Sequence, residues 1–137
     1  MEYRENALCY EDYCALRRSV GWTNFEENQT RKALGGRLYT VTAFDAGRVV
    51  GMGRLVGDGL YDTVVDVLVR PEYQGQGIGR SVMEQILAYA AAQTPAGGRT
   101  SVQLISEKGK EPFYAKLGFT PIPCESCGAG MRKVFRR

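Results

Sequence analysis

Residues 67–80 read Val-Leu-Val-Arg-Pro-Glu-Tyr-Gln-Gly-Gln-Gly-Ile-Gly-Arg, and this run limits the fold more than any other part of the chain. The stretch at residues 60–69, densest at 63–69, is nearly continuous in apolar and β-branched residues, the pattern of a strand buried on both faces. Pro71 has no amide proton to give a sheet ladder and ends that strand. Beyond the glycines, Ile78, Val82, Ile86 and Ala90 fall four apart, with Met83, Leu87 and Tyr89 widening the stripe, so residues 78–93 are expected to form an amphipathic helix. A strand, a glycine-rich turn and a helix start thus follow directly on one another. Helix starts leave amide protons unpaired and carry partial positive charge, which together bind phosphate. Glycines let the backbone close around such an anion. The segment is built for a phosphate or pyrophosphate.

The rest of the chain alternates between strand and helix periodicities. Residues 3–8 read as a first strand. Residues 11–20 read as a helix, with Tyr13, Leu16, Arg17 and Val20 on one face. Asn24 with Glu27 three residues on is a capping-box pattern opening a second helix that runs to about Leu34. Residues 37–44 and 48–56 are strands, and Asp45-Ala46-Gly47 between them is a hairpin signal. Residues 100–105 form another strand, Pro112 opens a short helix through Leu117, and residues 119–122 and 130–135 are closing strands. The 137 residues suit one domain, residues 1–137, with a mixed, mostly antiparallel central sheet flanked by helices.

Composition removes whole classes of chemistry. The chain has no histidine, so Ser-His-Asp and Cys-His pairs, His-ligated zinc and an imidazole base are all excluded. Four cysteines are present, and Cys124-Glu125-Ser126-Cys127 is a single C-x-x-C without a second knuckle, so no metal is expected. A net charge of +3, with Arg132-Lys133 and Arg136-Arg137 read as a solvated end, gives no ground for a nucleic-acid or membrane partner. The start, Met1-Glu2-Tyr3-Arg4-Glu5-Asn6, lacks the apolar run of a signal peptide, so a cytoplasmic protein with reduced cysteines is expected.

Three ligand classes compete for the glycine turn. A P-loop needs Lys-Ser or Lys-Thr after its glycines, and none follows. A dinucleotide fingerprint begun at Gly75 would need a glycine where Arg80 stands, and residues 90–102 hold no acidic residue for a ribose. Coenzyme A remains. Gln74-Gly75-Gln76-Gly77-Ile78-Gly79 resembles the Q/R-x-x-G-x-G/A motif of the GNAT superfamily of N-acetyltransferases. The preceding Val69-Arg70-Pro71-Glu72-Tyr73 is similar to that family's strand-to-loop signature. Phe113-Tyr114-Ala115-Lys116-Leu117-Gly118-Phe119 resembles its F-Y-x-x-x-G-F element, at a separation that suits the family. The order of helices and strands matches over almost the whole chain.

The resemblance implies a GNAT-like acyl-CoA N-acyltransferase fold, acetyl-CoA as cosubstrate and an amine as acceptor. It implies that the pyrophosphate lies on the backbone amides of Gln74, Gly75, Gln76, Gly77, Ile78 and Gly79, with Arg80 continuing into the helix. It places the pantetheine arm along Val67, Leu68 and Val69, an amide near Leu68 against the acetyl carbonyl, and Tyr114 as general acid. Ser106 stands nearest to an Asn that contacts the cofactor in some members. Dimers are frequent in that family, so a homodimer is a further expectation. Asp66, inside an apolar strand, reads either as a base or acceptor-binding carboxylate or as an ion-paired structural group. Glu107 is a second candidate for the base, and Trp22 for a wall of the acceptor pocket. A binding module that retains the cofactor site but has little catalysis is the alternative reading.

Overall fold

The two β-rich runs around Asp45 close into the expected hairpin. Strand β2 (Tyr39–Asp45) pairs antiparallel with β3 (Arg48–Gly57), and Ala46 and Gly47 both take positive φ in the two-residue turn. The computed structural model describes residues 1–137, and they divide into two compact units, residues 1–103 and residues 104–137.

In the first unit, β1 (Glu2–Glu5) pairs antiparallel with β2, and β4 (Tyr61–Val69) with β3. Strand β5 (Ser101–Leu104) completes a five-stranded sheet of order β1-β2-β3-β4-β5. β1 is shorter than residues 3–8 suggested. Asn6 turns to φ 53° and its side-chain oxygen accepts from the Thr40 amide, which ends the strand. Helices cover both faces of the sheet. On one face, α1 (Tyr10–Ser19) and α2 (Glu27–Gly35) bury Tyr13, Cys14, Leu16 and Leu34 against Phe44, Val49, Met52 and Leu68. On the other, α3 (Ile78–Gln93) buries Ile78, Val82, Met83, Ile86 and Ala90, the stripe read from the sequence.

Burial on both faces falls on the central strands rather than on β4. β2 is buried from Tyr39 to Phe44 and β3 from Val49 to Leu55, whereas on β4 only Asp62, Val64 and Leu68 are buried. The cap of α2 is also displaced. Glu26 is the N-cap, its carboxylate accepting from the amides of Asn28 (3.0 Å) and Gln29 (2.7 Å), while the Asn24 side chain donates to the Cys14 carbonyl. The carboxylate satisfies two orphan amides at once, which the asparagine two residues upstream does not reach.

Gly53 fixes how closely α3 approaches the sheet. A Cβ there would lie 2.7 Å from Val82 Cγ1 and 2.8 Å from Ile86 Cδ1, both on fully buried side chains. Gly53→Ala is therefore expected to destabilise the fold by about 1–3 kcal/mol, the usual range for overpacking. A urea midpoint unchanged from the parent would refute this close approach.

The second unit holds α4 (Glu111–Ala115), with Pro112 in its first turn as expected. Gly118, at φ 93°, follows the end of the helix. The two closing strands are absent. From residue 119 onward the only β-type pairing is an isolated bridge between Cys124 and Cys127. Short apolar runs in this segment lack a partner strand, and Met131 and Phe135 stay exposed.

Candidate functional site

The glycine turn is held from behind by the β2–β3 hairpin and left open in front. The Arg70 amide donates to the Val50 carbonyl (2.8 Å) and its Nε to the Val49 carbonyl (2.7 Å). Tyr73 donates its hydroxyl to Asp45 Oδ2 (2.8 Å), Arg48 pairs with Glu72 (3.0 Å), and the Gln74 side-chain amide donates back to the Val69 carbonyl (2.9 Å). With its rear so tied, the turn presents Gln74, Gly75, Gln76 and Gly77 to solvent. Gly75 and Gly77 adopt φ 77° and 83°, and nothing lies within 4 Å of where their Cβ atoms would stand. Gly77 is the N-cap of α3 and contributes no side-chain cap. The amides of Ile78, Gly79 and Arg80 open the helix with no intrahelical carbonyl to meet. Ile78 contributes backbone alone, since its side chain is buried, and the Arg80 guanidinium is paired with Glu84 at 2.8 Å. This cradle of free amides, with side-chain atoms excluded from its front, fits a pyrophosphate.

Strand β4 is irregular where it passes the turn. Met52 pairs with Leu68 and Arg54 with Val65, so Asp66 and Val67 together oppose Gly53. Asp66 takes φ 54° at this bulge. A bulge leaves one residue out of the ladder and bends the strand, so backbone groups at Asp66 and Val67 are released from the pairing, while Leu68 and Val69 stay opposite Met52 and Gly51.

Asp66 itself is the centre of a buried polar cluster. Oδ1 accepts from Arg17 Nη1 at 2.6 Å, and Oδ2 accepts from Arg54 Nε at 3.0 Å and the Tyr13 hydroxyl at 2.9 Å. Its side chain is 9% exposed. Of the two roles the sequence leaves open, the geometry is that of the ion-paired group: both oxygens are engaged by cations. Burial, followed by the Asp66 charge, pushes the Tyr13 phenol up to about 12, so it stays the donor in this pair.

A cleft of about 170 Å³ opens over this cluster, lined by Tyr13, Phe25, Gln29, Thr30, Ala33, Leu34 and Arg54. Trp22 is not among the lining residues. It packs on the α1–α2 core with the Arg17 guanidinium 5.2 Å from its ring, and Phe25, three residues on, takes the wall position. Most of these residues escape sequence reasoning. The available signal was charge in apolar elements, namely Arg17 on the buried face of α1 and Arg54 inside β3, each of them 8% exposed.

In the second unit, Phe113, Tyr114 and Phe119 form an aromatic cluster. Tyr114 meets Phe113 edge-on at 5.0 Å and Phe119 at 6.0 Å. Its backbone carbonyl accepts from the amides of Leu117 and Phe119. Burial, reinforced by Glu107, raises the phenol above its ordinary value, so Tyr114 holds its proton at neutral pH. Ser106 is half-buried and donates to the Glu107 carbonyl at 2.7 Å, and Glu107 is exposed. Cys124 and Cys127 bring their sulfurs to 3.5 Å as free thiols, and hydrogen bonds, first from Ser126 and then from Cys127, lower Cys124 to about 7.

Comparison with known proteins bears on the whole arrangement. Residues 35–121 match the sequence model of the acetyltransferase (GNAT) domain. Over 109 residues the chain is 36% identical to serotonin N-acetyltransferase 2, chloroplastic, of Oryza sativa subsp. japonica, covering 76% of this chain but 52% of that protein. The chain thus spans about half the length of that curated relative. Two solved structures superpose along nearly their full length. A Staphylococcus aureus protein of unknown function, a probable acetyltransferase, has TM-score 0.83 and 34% identity, with 96% of this chain and 98% of that one covered. A GNAT-family acetyltransferase from Streptococcus pneumoniae has TM-score 0.82 and 34% identity, with 99% and 98% covered.

Proposed function

The chain belongs to the GNAT acetyltransferase family, and from that premise we propose that it moves an acetyl group from acetyl-CoA to the amino group of a small acceptor by direct attack. The observation that carries the donor half is the open cradle at Gly75 and Gly77 ahead of the uncapped start of α3. Amides from Gln74 to Arg80 hold the pyrophosphate, and the bulged stretch Val67 to Val69 offers backbone groups to the pantetheine arm. A bound acetyl-CoA supplies a thioester that is already activated. No nucleophilic side chain is then required. The chain's task is to align a neutral amine, and alignment alone supplies up to about 7–11 kcal/mol. A backbone amide near Leu68 donates to the carbonyl oxygen as charge develops on it, a contribution of about 3–4 kcal/mol in comparable sites.

Tyr114 is the proposed proton donor to the departing sulfur. Its raised pKa keeps the phenol protonated at neutral pH. The proton is therefore available until the pH climbs through that raised value, above the ordinary one near ~10. Tyr114→Phe is expected to lower kcat by roughly 10²–10⁴-fold, to leave CoA affinity within twofold, and to abolish the alkaline loss of activity. An unchanged kcat and an unchanged pH profile would remove Tyr114 from the mechanism.

For the acceptor, the aromatic lining of the cleft by Tyr13 and Phe25 and the serotonin in the rice relative's name both favour an aromatic amine. The test is acetyl-CoA-dependent thiol release against aromatic amines, amino acids, polyamines, aminoglycosides and basic peptides, with a no-acceptor control. Release that requires one acceptor class is the expected result. Silence across the panel would overturn the reading.

A further inference from the structure

We infer that the cleft between α1, α2 and β3 contains a carboxylate-binding subsite at Arg54, so that the acceptor is an amine bearing a carboxylate on a flat apolar body. This rests on the acetyltransferase reading for the word acceptor, while the subsite itself rests on the cleft alone.

Arg17, Arg54 and Asp66 are buried together, each arginine bonded to the same carboxylate. No other acid pairs with either arginine, and the remaining partner of Arg17 is the Thr23 carbonyl, which is neutral. Two cations against one anion leave one positive charge uncompensated in a low-dielectric setting. Buried charge persists where it is paired, and an uncompensated one calls for an anion. The hydrogen-bond inventory agrees. Arg54 Nη1 and Arg17 Nε are buried donors with no partner. Arg54 is more than nine-tenths buried and forms part of the cleft wall, so a ligand seated in the cleft lies against this cation.

The rest of the lining specifies the body of the ligand. Tyr13, Ala33, Leu34 and Phe25 are apolar or aromatic, and Phe25 at the mouth is 57% exposed with the Arg17 guanidinium 4.9 Å from its ring. A planar hydrophobic group sliding beside Phe25 would bring an anionic tail to Arg54. Guanidinium and carboxylate match in a planar, charge-assisted geometry, so discrimination for charge should be strong. The excess positive charge also disfavours a polyamine or aminoglycoside in this cleft and favours the unprotonated form of an amine held near it.

Indole-3-acetate and indole-3-acetamide differ in charge at nearly constant shape, and their binding to the full chain can be compared by calorimetry at low salt without acetyl-CoA. The expected result is at least tenfold tighter binding of the acetate. Arg54→Met, which removes the excess charge, should reduce that preference to within twofold. Gln29 is exposed at the cleft and outside the buried cluster, so its variants test the charge even if the Arg54 variant does not fold. Gln29→Glu should lower acetate affinity several-fold with the acetamide unchanged, and Gln29→Lys should raise it. Equal affinities for the two probes, binding of neither, or a preference indifferent to the Gln29 charge would overturn the subsite. Thiol release reports the other half separately. Acetate preference without turnover would leave the subsite standing and remove the acetyltransferase reading, and turnover without acetate preference would do the reverse.

Discussion

Asp66→Ala is expected to lower the unfolding free energy by about 3–5 kcal/mol, the cost of breaking a buried ion pair by removing one partner. The loss comes mainly from what remains. Arg17 and Arg54 would stay buried with two positive charges and no anion, and the Tyr13 hydroxyl would lose its acceptor. Backbone strain adds to it. Position 66 sits at φ 54°, a left-handed conformation that costs most L-residues about 1–2 kcal/mol and that Asp and Asn tolerate better. Asp66→Asn should therefore be the milder variant, since it keeps the conformation and one acceptor oxygen while losing the charge and replacing the second acceptor with an NH2 donor. Tyr13→Phe removes a single donor and should cost about 1 kcal/mol. Combined with Asp66→Ala it should add almost nothing, because the hydroxyl has no partner left once the carboxylate is gone. Urea titrations of the parent and the four variants, read by linear extrapolation, decide this. A loss below about 1 kcal/mol for Asp66→Ala would mean that the cluster does not hold the fold together.

Different parts of this molecule were visible in the sequence to different degrees, and locality of the interactions explains why. The strand at residues 60–69, the turn and the helix at 78–93 are each encoded within a few residues of one another. Pro71 ends the ladder, the glycines turn the chain, and a four-residue apolar period forms the helix. The hairpin around Ala46-Gly47 is local in the same sense. The carboxylate of Asp66 could be noticed as an anomaly in an apolar strand, but its partners are 49 and 53 residues away on α1 and 12 away on β3, and only the folded sheet brings them together. The cleft depends on the same long-range assembly, so no local pattern marks Phe25 and Arg54 as its walls, whereas Trp22, the more conspicuous aromatic, lies outside the lining. The expected strands at 119–122 and 130–135 fail for the opposite reason. Their local pattern suits a strand, yet a strand needs a partner, and residues 130–135 pair with nothing.

Gly75→Val combined with Gly77→Val is expected to weaken CoA binding by at least 100-fold while shifting the urea midpoint far less. Both glycines hold φ near 80°, and each valine would have to be forced into a region that costs L-residues about 1–2 kcal/mol. β-branching makes these positions worse, because the second Cγ crowds the backbone on either side. Nothing lies within 4 Å of the new Cβ atoms, so the substitutions create no clash inside the protein. The chain can relieve the strain by letting the exposed turn relax out of its left-handed conformation, since its anchors at Arg70, Tyr73 and Gln74 lie outside the substituted positions. Relaxation preserves the fold and destroys the cradle. Two strained positions released together correspond to about 2–4 kcal/mol of lost preorganisation, or roughly 30- to 1,000-fold in affinity, and β-branching places the valine pair in the upper part of that range. Gly75→Ala and Gly77→Ala singly should each give about tenfold, and the valine pair should exceed their product. Calorimetric titration with CoA alongside a urea denaturation curve separates the two effects. If affinity were unchanged in the double valine variant, the pyrophosphate would have to bind elsewhere on the chain. If stability and affinity fell together, the turn would be a structural element of the fold rather than a preformed anion site.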